Sequence, residues 1–164
     1  NGPWNQLVNL ENISIKKLKS DSSIDLNKNI KIIPFLVPHR DEFSETVGYK
    51  VLINEKILLF IPDIDKWEKW ETNISDLIKE VDYAFLDATF YKNGELKRDM
   101  SEIPHPFVEE SIRLFAILPY SEKQKIHFIH FNHTNPLLQE GSYAQKEILE
   151  KGFKLAKEGQ IINF

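Results

Sequence analysis

Short runs of apolar, β-branched and aromatic residues recur along the chain, and most of them are too short to form helices. Apolar residues at helical spacing instead predict helices over 65–81, with a break near Thr72 and Asn73, and over 107–118 and 142–151. Hairpin-connected strands early in the chain, followed by strands that alternate with helices, predict an α/β fold with a mixed sheet and flanking helices. The predicted strands are 13–18 (a weak edge strand), 30–37, 47–53, 57–61, 83–87, 126–131, 153–156 and 160–163.

Two further expectations concern single segments. Residues 1–9 are expected to be a leading segment that Trp4 anchors to the core. The strand 83–87 (YAFLD) is apolar until its final carboxylate, and this predicts a central strand covered on both faces.

The composition bounds the class of protein. With 164 residues and 41% hydrophobic content, we expect 1–164 to form a single packed domain. The net charge of −4 gives no general attraction to nucleic acid, and no apolar run reaches the roughly 18 residues of a membrane span. The absence of cysteine excludes disulfides and thiolate metal ligands. The chain begins without Met, so we expect the natural N-terminus to lie upstream, and the compartment stays open.

Three residues of metal-ligating type follow predicted strands. His39 comes after 30–37, Asp63 after 57–61, and His130 near the end of 126–131. Imidazole nitrogen and carboxylate oxygen are good ligands for Zn, Mn or Fe, and a carboxylate can contact two cations. These positions therefore predict a metal site at one edge of the sheet. The alternatives are a surface loop histidine at position 39 and a helix cap at Asp63, although Asp65 is better placed for that cap.

Other polar residues could support such a site. Asp87 is the last residue of its predicted strand. It is a metal ligand, a turn residue or, as we favour, a carboxylate that orients a ligand. His105 precedes Pro106 at a helix start and is a candidate proton donor, with an N-terminal helix cap as the alternative. His127 lies on the same strand as His130 but on the opposite face, so we expect it to be packed or hydrogen-bonded under a helix rather than to bind metal.

A polar turn follows the strand that carries His130. Asn132, His133 and Asn135 stand close together in FNHTNP. They either line a substrate pocket or serve only the conformation of the turn.

Five motifs together resemble those of the metallo-β-lactamase-fold hydrolases. They are VPHRDEFSETVGYKV, LLFIPDIDKW, VDYAFLDATFY, IPHPFVEES and KIHFIHFNHTNPLL, and they extend over nearly the whole chain. The His-x-Asn-x-Thr-Asn-Pro pattern is the most specific, and it is similar to that of the pyrroloquinoline quinone biosynthesis protein B branch. The resemblance covers only the C-terminal half of such a domain, because the family's His-x-His-x-Asp-His stretch is absent.

The resemblance implies half of an αββα sandwich that holds one or two metal ions, Zn or alternatively Mn or Fe, at the sheet edge. In it, His39, Asp63 and His130 correspond to metal ligands, with Asp63 bridging. Asp87, Ala88 and Thr89 correspond to a supporting turn, and His105 corresponds to a histidine that assists proton transfer. A complementary N-terminal half of the same domain is the implied partner, and a homo-oligomer is left open.

The expected function is metal-dependent hydrolysis of a phosphoester or other ester in a small-molecule substrate. Asp63 favours this reading, because members of the quinone-cofactor branch often lack that aspartate. The alternatives are an oxidoreductase step in quinone-cofactor biosynthesis, and a metal-free binding or structural partner.

Overall fold

The computed structural model describes residues 3–41 and 44–163. In these ranges seven strands form one sheet and lie across it in chain order. They confirm the predicted α/β class with a mixed sheet. The strands are β1 Ile24–Asn27, β2 Ile30–Leu36, β3 Val47–Ile53, β4 Lys56–Ile61, β5 Tyr83–Asp87, β6 Ile126–Ile129 and β7 Lys154–Leu155.

Strand direction follows from the connections. Neighbours from β1 to β4 are antiparallel, and a two-residue turn joins β3 to β4, with Asn54 in the left-handed region at φ +54°. Neighbours from β4 to β7 are parallel, which requires crossover connections long enough to hold helices. The helices are α1 Pro3–Asn9, α2 Ile74–Lys79, α3 Val108–Leu114, α4 Tyr120–Lys123 and α5 Tyr143–Glu150.

The predicted break near Thr72 and Asn73 is present. A 3₁₀ turn at Trp67–Lys69 precedes α2, and the Asn73 side chain caps α2 by accepting from Ser75 N. The predicted helix over 107–118 is likewise shorter than expected, because α3 continues only as a 3₁₀ turn, Phe115–Ile117.

The two ends of the chain differ from the predictions. The segments 13–18 and 160–163 are not strands, and β1 was not predicted. Ile15 and Leu18 are 60% and 55% exposed. The apolar pattern of 13–18 was therefore not sufficient for this segment to pair with another strand. Within 1–9, residues 3–9 form α1, and Trp4 is 60% exposed rather than an anchor.

The main core lies between one face of the sheet and the crossover helices. Parallel strands in chain order place consecutive right-handed crossovers on the same face, so α2, α3 and α5 all pack there. The core residues contributed by the central strands and these helices are Leu59, Ile61, Ala84, Leu86, Ile126, Phe128, Ile74, Ile78, Val108, Ile112, Ala144 and Ile148.

The opposite face, here called the open face, carries apolar side chains that stay partly exposed. The strand register aligns Tyr49, Phe60, Phe85 and His127 in one row across it. Phe60 is 37% exposed, and Tyr49 and Phe85 are half-buried. The prediction that β5 is covered on both faces is therefore wrong, because Tyr83 and Phe85 stay partly exposed on the face opposite α2, α3 and α5.

Among the residues described, no helix is both long and apolar enough to pass through a lipid bilayer.

Candidate metal centre

The direction of four strands brings the residues that follow them to one sheet edge. β2 and β4 are both antiparallel to β3 and so run the same way, and β5 and β6 are parallel to β4. The carboxyl ends of all four strands consequently lie at the same edge. Such edges of open α/β sheets are where ligands bind. The residues that emerge there are His39, Asp63, Asp87 and His130.

Four acidic and imidazole groups converge at this edge. Asp63, Asp87, His105 and His130 each offer one ligand atom, and these atoms all lie within 4.8 Å of one another. His105 arrives from the start of α3, which is tied to the loop after β5 by backbone hydrogen bonds from 108 to 90 and from 109 to 91. Oxygen and nitrogen atoms at such separations can coordinate the same ion or a pair of ions.

His39 joins the cluster through Asp63. Its Nε2 lies 3.0 Å from Asp63 Oδ1. Both atoms are buried, and neither has a hydrogen-bond partner within the described part of the chain. Ligands of one Zn ion, each about 2.1 Å from the metal, lie roughly 3–3.5 Å apart. Orphaned buried atoms at this spacing fit a bound metal ion, since an unpartnered polar atom in the interior is otherwise costly.

The Asp63 side chain is available to bind a metal, because it caps no helix among the described residues. Asp65 does not form the expected side-chain cap either. Its Oδ1 accepts from the adjacent Lys66 N at 2.7 Å, and its Oδ2 contacts Lys69 Nζ at 2.9 Å.

Asp87 is the fully buried member of the cluster. Its Oδ2 lies 2.8 Å from His105 Nδ1, and its Oδ1 accepts from Thr89 N at 2.8 Å. Burial raises the pKa of Asp87, but the interactions with His105, His130 and Thr89 outweigh it and hold the pKa below its usual value. The site therefore contains a fixed negative charge that orients the imidazoles.

His130 is held in a backbone conformation that non-glycine residues rarely adopt. Its φ is +64°, immediately after β6 ends. Hydrogen bonds on either side secure it, from Ala88 N to Ile129 O and from Asn132 N to Thr89 O. Asp87, 3.7 Å away, raises the pKa of His130, against the effect of its burial. Strained residues of this kind cluster at functional sites.

His127 lies apart from the cluster and is packed, as expected, but it lies on the open face of the sheet and not under the crossover helices. It is 2% exposed and stacks on Phe85 with ring centroids 4.9 Å apart. Its Nδ1 lies 3.0 Å from Lys125 O, and burial lowers its pKa.

The polar turn after β6 uses its side chains largely for local structure. Asn135 is 1% exposed and donates to Ala88 O and Thr89 O, while its Oδ1 accepts from Leu137 N. Asn132 Nδ2 donates to Thr134, which in turn donates to Glu95. His133 is exposed. None of the three predicted pocket residues borders the cleft beside His105.

That cleft has a volume of about 300 Å³ and adjoins the cluster. Two arginines border it, and Arg40 also donates to Glu102 O at 2.5 Å. Asp99 lies on the same rim, and its carboxylate accepts hydrogen bonds from both N and Oγ of Ser101. The residues that line the cleft are Arg40, Thr89, Phe90, Arg98, Asp99, Glu102, Ile103, Pro104 and His105.

The resemblance placed Thr89 only in a supporting turn and gave its side chain no role, yet its hydroxyl contacts three members of the cluster. It lies 2.7 Å from Asp87 Oδ1, 2.9 Å from His130 Nδ1 and 3.2 Å from His105 Nδ1. An Asp followed two residues later by Thr can make such a local turn, and this was the available signal.

Comparison with known proteins shows the family to which the chain belongs. The model of the β-lactamase superfamily domain matches residues 3–131, and the chain belongs to that family. A relative by sequence is the coenzyme PQQ synthesis protein B of Acinetobacter baumannii (strain SDF), 24% identical over 157 residues, which are 85% of this chain and 51% of the relative. The protein of that name from Gluconobacter oxydans is 26% identical over 122 residues, with 71% and 39% covered.

Solved structures show the same fold. Zn²⁺-bound PqqB from Methylobacterium extorquens superposes with a TM-score of 0.72 at 21% identity, over 91% of this chain and 52% of that one. The metallo-β-lactamase-fold protein YhfI from Bacillus subtilis gives 0.57 at 11% identity, over 94% and 58%. The chain thus spans about half the length of the relatives it matches, and the resemblance to the metallo-β-lactamase fold and to PqqB is confirmed.

Proposed function

We propose that this chain carries part of the active site of a metal-dependent hydrolase, which cleaves a phosphoester or another ester of a small molecule. The observation that carries the proposal is the convergence of Asp63, Asp87, His105 and His130 within 4.8 Å. The orphaned buried atoms His39 Nε2 and Asp63 Oδ1 support it. The proposed cofactor is one or two Zn ions, with Mn or Fe as alternatives.

Each side chain has a proposed role. His39, Asp63 and His130 would hold the metal, and Asp63 can contact two ions because a carboxylate has two oxygens. A bound ion of this type supplies hydroxide at neutral pH by lowering the pKa of its water to about 7. His105 is the proposed proton donor to the leaving oxygen, and Asp87 orients it through their 2.8 Å contact.

The cleft beside His105 supports an anionic substrate. Arg40 and Arg98 border it, and guanidinium groups bind phosphate oxygens through paired hydrogen bonds. A phosphoester bound there would have its charge next to the arginines and its reacting group next to the metal ligands. The polar turn residues Asn132 and His133 stay as proposed outer contacts of a larger substrate.

A second candidate is an oxidoreductase step in the biosynthesis of a quinone cofactor, at the same metal site. It is favoured by the sequence similarity to coenzyme PQQ synthesis protein B, which extends over 85% of this chain. Oxygen consumption in the presence of tyrosine-containing peptides would support this candidate, and hydrolysis of a phosphodiester without oxygen uptake would support the first.

A complementary N-terminal half of the same domain is the proposed partner. The open face of the sheet supports this, because its row of Tyr49, Phe60 and Phe85 is apolar and only partly buried. Burying such a face stabilises a fold by about 25 cal/mol per Å² of apolar surface. Self-association into a homo-oligomer is the competing way to cover it, and a metal-free structural role for this chain would follow if no metal binds.

The test compares this chain alone with a version extended upstream. Bound metal is measured by elemental analysis, and activity with bis(p-nitrophenyl) phosphate. We expect metal and activity in the extended protein and their loss in the double variant Asp63→Ala, His130→Ala. Asp76→Ala is the control, since this exposed carboxylate lies outside the cluster. Wild-type metal content and activity in the double variant would refute the proposal.

A further inference from the structure

The Thr89 hydroxyl is the only described group that lies between His130 and the buried carboxylate at hydrogen-bonding distance to both. Its Oγ1 is 2.9 Å from His130 Nδ1 and 2.7 Å from Asp87 Oδ1. The direct separation of His130 Nδ1 and Asp87 Oδ1 is 3.7 Å, which is too long for a hydrogen bond. Thr89 therefore connects the imidazole to the carboxylate.

Counting protons fixes the direction of this chain of hydrogen bonds. Both oxygens of Asp87 already accept from backbone N–H groups, Oδ1 from Thr89 at 2.8 Å and Oδ2 from Ile64 at 3.2 Å. A carboxylate in that position acts as acceptor, so the one proton of the Thr89 hydroxyl goes to Oδ1. The hydroxyl oxygen can then only accept, and His130 Nδ1 must be the donor.

His105 does not compete for this arrangement. Its Nδ1 is 3.2 Å from the Thr89 hydroxyl but 2.8 Å from Asp87 Oδ2, so its shorter contact is with the carboxylate itself. Thr89 is left to serve His130.

We propose that Thr89 is a positioning residue that fixes His130 in the tautomer protonated at Nδ1, so that Nε2 presents the lone pair available to a metal. The fixing is effective because Thr89 itself cannot shift. It is 8% exposed, and its carbonyl accepts from Asn132 N at 2.9 Å and from Asn135 Nδ2 at 3.2 Å. The consequence for metal binding rests on the proposed function, whereas the tautomer itself does not.

The first experiment reads the tautomer in metal-free protein. Long-range ¹H–¹⁵N correlation spectra, recorded at a pH where imidazoles are neutral, distinguish protonated from unprotonated ring nitrogens. We expect His130 of the wild type and of Thr89→Ser to carry its proton on Nδ1. In Thr89→Val, which keeps the shape but lacks the hydroxyl, we expect the Nδ1–H population to fall. An unchanged His130 spectrum in Thr89→Val, or an Nε2–H form in the wild type, would overturn the proposal.

The second experiment measures Zn²⁺ binding by calorimetry in the same three proteins, with thermal unfolding followed in parallel. Loss of a group that orients a ligand typically costs about 10–100-fold in metal affinity. We expect that loss in Thr89→Val and near wild-type affinity in Thr89→Ser. Equal affinities despite a changed tautomer would overturn the link to metal binding. A wild-type protein that takes up no Zn²⁺, alone or extended upstream, would instead refute the proposed function, and the spectra would still decide the role of Thr89.

Discussion

Asn135 is expected to be among the most important polar side chains for stability, and Asn135→Leu tests this. The side chain is 1% exposed and makes three hydrogen bonds, to Ala88 O at 2.7 Å, to Thr89 O at 3.2 Å and from Leu137 N at 2.9 Å. Thr89 O keeps a second donor in the variant, Asn132 N at 2.9 Å. Leucine has the same branched shape at Cγ but is larger, so two backbone groups, Ala88 O and Leu137 N, lose these partners and no cavity is formed. Any overpacking adds to this cost.

Each buried group that loses its partner costs about 1–3 kcal/mol. The added apolar surface of leucine offsets a part of this, and we expect the free energy of unfolding to fall by about 2–4 kcal/mol. That is a large share of the roughly 5–15 kcal/mol that stabilises a typical domain. The measurement is urea unfolding followed by tryptophan fluorescence. The dependence of the free energy of unfolding on urea concentration should be the same in the variant and the wild type.

Asn132→Leu is the matched control. Asn132 is half-buried, and its side chain donates to Thr134 at 2.6 Å at a position that water can reach in part. We expect a loss of no more than about 1 kcal/mol there, because water can replace the missing partner. Equal effects of the two substitutions, or a loss below about 0.5 kcal/mol in Asn135→Leu, would refute the structural role inferred for Asn135.

Three further predictions concern stability away from the metal ligands. Trp67→Phe and Ser111→Ala each remove the buried hydrogen bond from Trp67 Nε1 to Ser111 Oγ (2.9 Å). In urea unfolding, the loss in free energy of unfolding of the double variant should be about 1–2 kcal/mol smaller than the sum of the losses of the two single variants. Burial lowers the pKa of His127, so as the pH falls this histidine becomes protonated in the unfolded chain before it does in the folded protein. The free energy of unfolding should therefore decrease below about pH 6.5, and it should decrease less steeply in His127→Phe. Gly152→Ala should lower the melting temperature, since its φ is +94° and a Cβ would lie 2.6 Å from the Tyr120 ring.

Each of these has a discriminating outcome. Strict additivity of the Trp67 and Ser111 substitutions would mean that their hydrogen bond contributes nothing. A pH dependence below 6.5 that is identical with and without His127 would assign it to other groups. Gly159→Ala is the control for Gly152→Ala, because Gly159 has φ +75° but no atom within 4 Å of the added Cβ. If the two glycine substitutions cost the same, backbone strain alone explains both.

The sequence was sufficient to predict the central part of the fold. The boundaries of β3, β4 and β5 follow from short apolar runs bounded by turn residues, such as the Asn54 turn. The break before α2 follows from Asn73, whose side chain caps the helix. These features depend on neighbouring residues alone, which is why local patterns identify them.

Features that depend on distant partners were missed or wrong. β1 forms because Ile24 pairs with Ile32 across the sheet, which nothing in the tetrapeptide IDLN indicates. Residues 13–18 have a similar apolar content but no pairing strand among the described residues, so they stay outside the sheet. Whether a segment at the margin of a sheet forms a strand depends more on the strand with which it can pair than on the β-propensity of the segment itself.

The site was predicted as positions but not as an arrangement of hydrogen bonds. His39, Asp63, Asp87 and His130 could be proposed from sequence because each ends or follows a strand. Since β2, β4, β5 and β6 run in the same direction, these residues come to one edge. The role of Thr89 could not be found in that way, because it depends on distances between groups from β5, α3 and β6.

The strand order also explains why the site and the open face occur in the same molecule. Placing parallel strands in chain order puts every crossover helix on one face of the sheet, and the carboxyl edge of such a sheet is where ligands bind. The face opposite these helices keeps Phe60 partly exposed, and the proposed complementary half is one way to cover it. A complementary half of the domain packed on Tyr49, Phe60 and Phe85 would extend to the edge that bears His39 and Asp63. It could therefore add the ligands that complete the coordination of a metal, and the upstream-extended protein should bind Zn²⁺ more tightly than this chain alone.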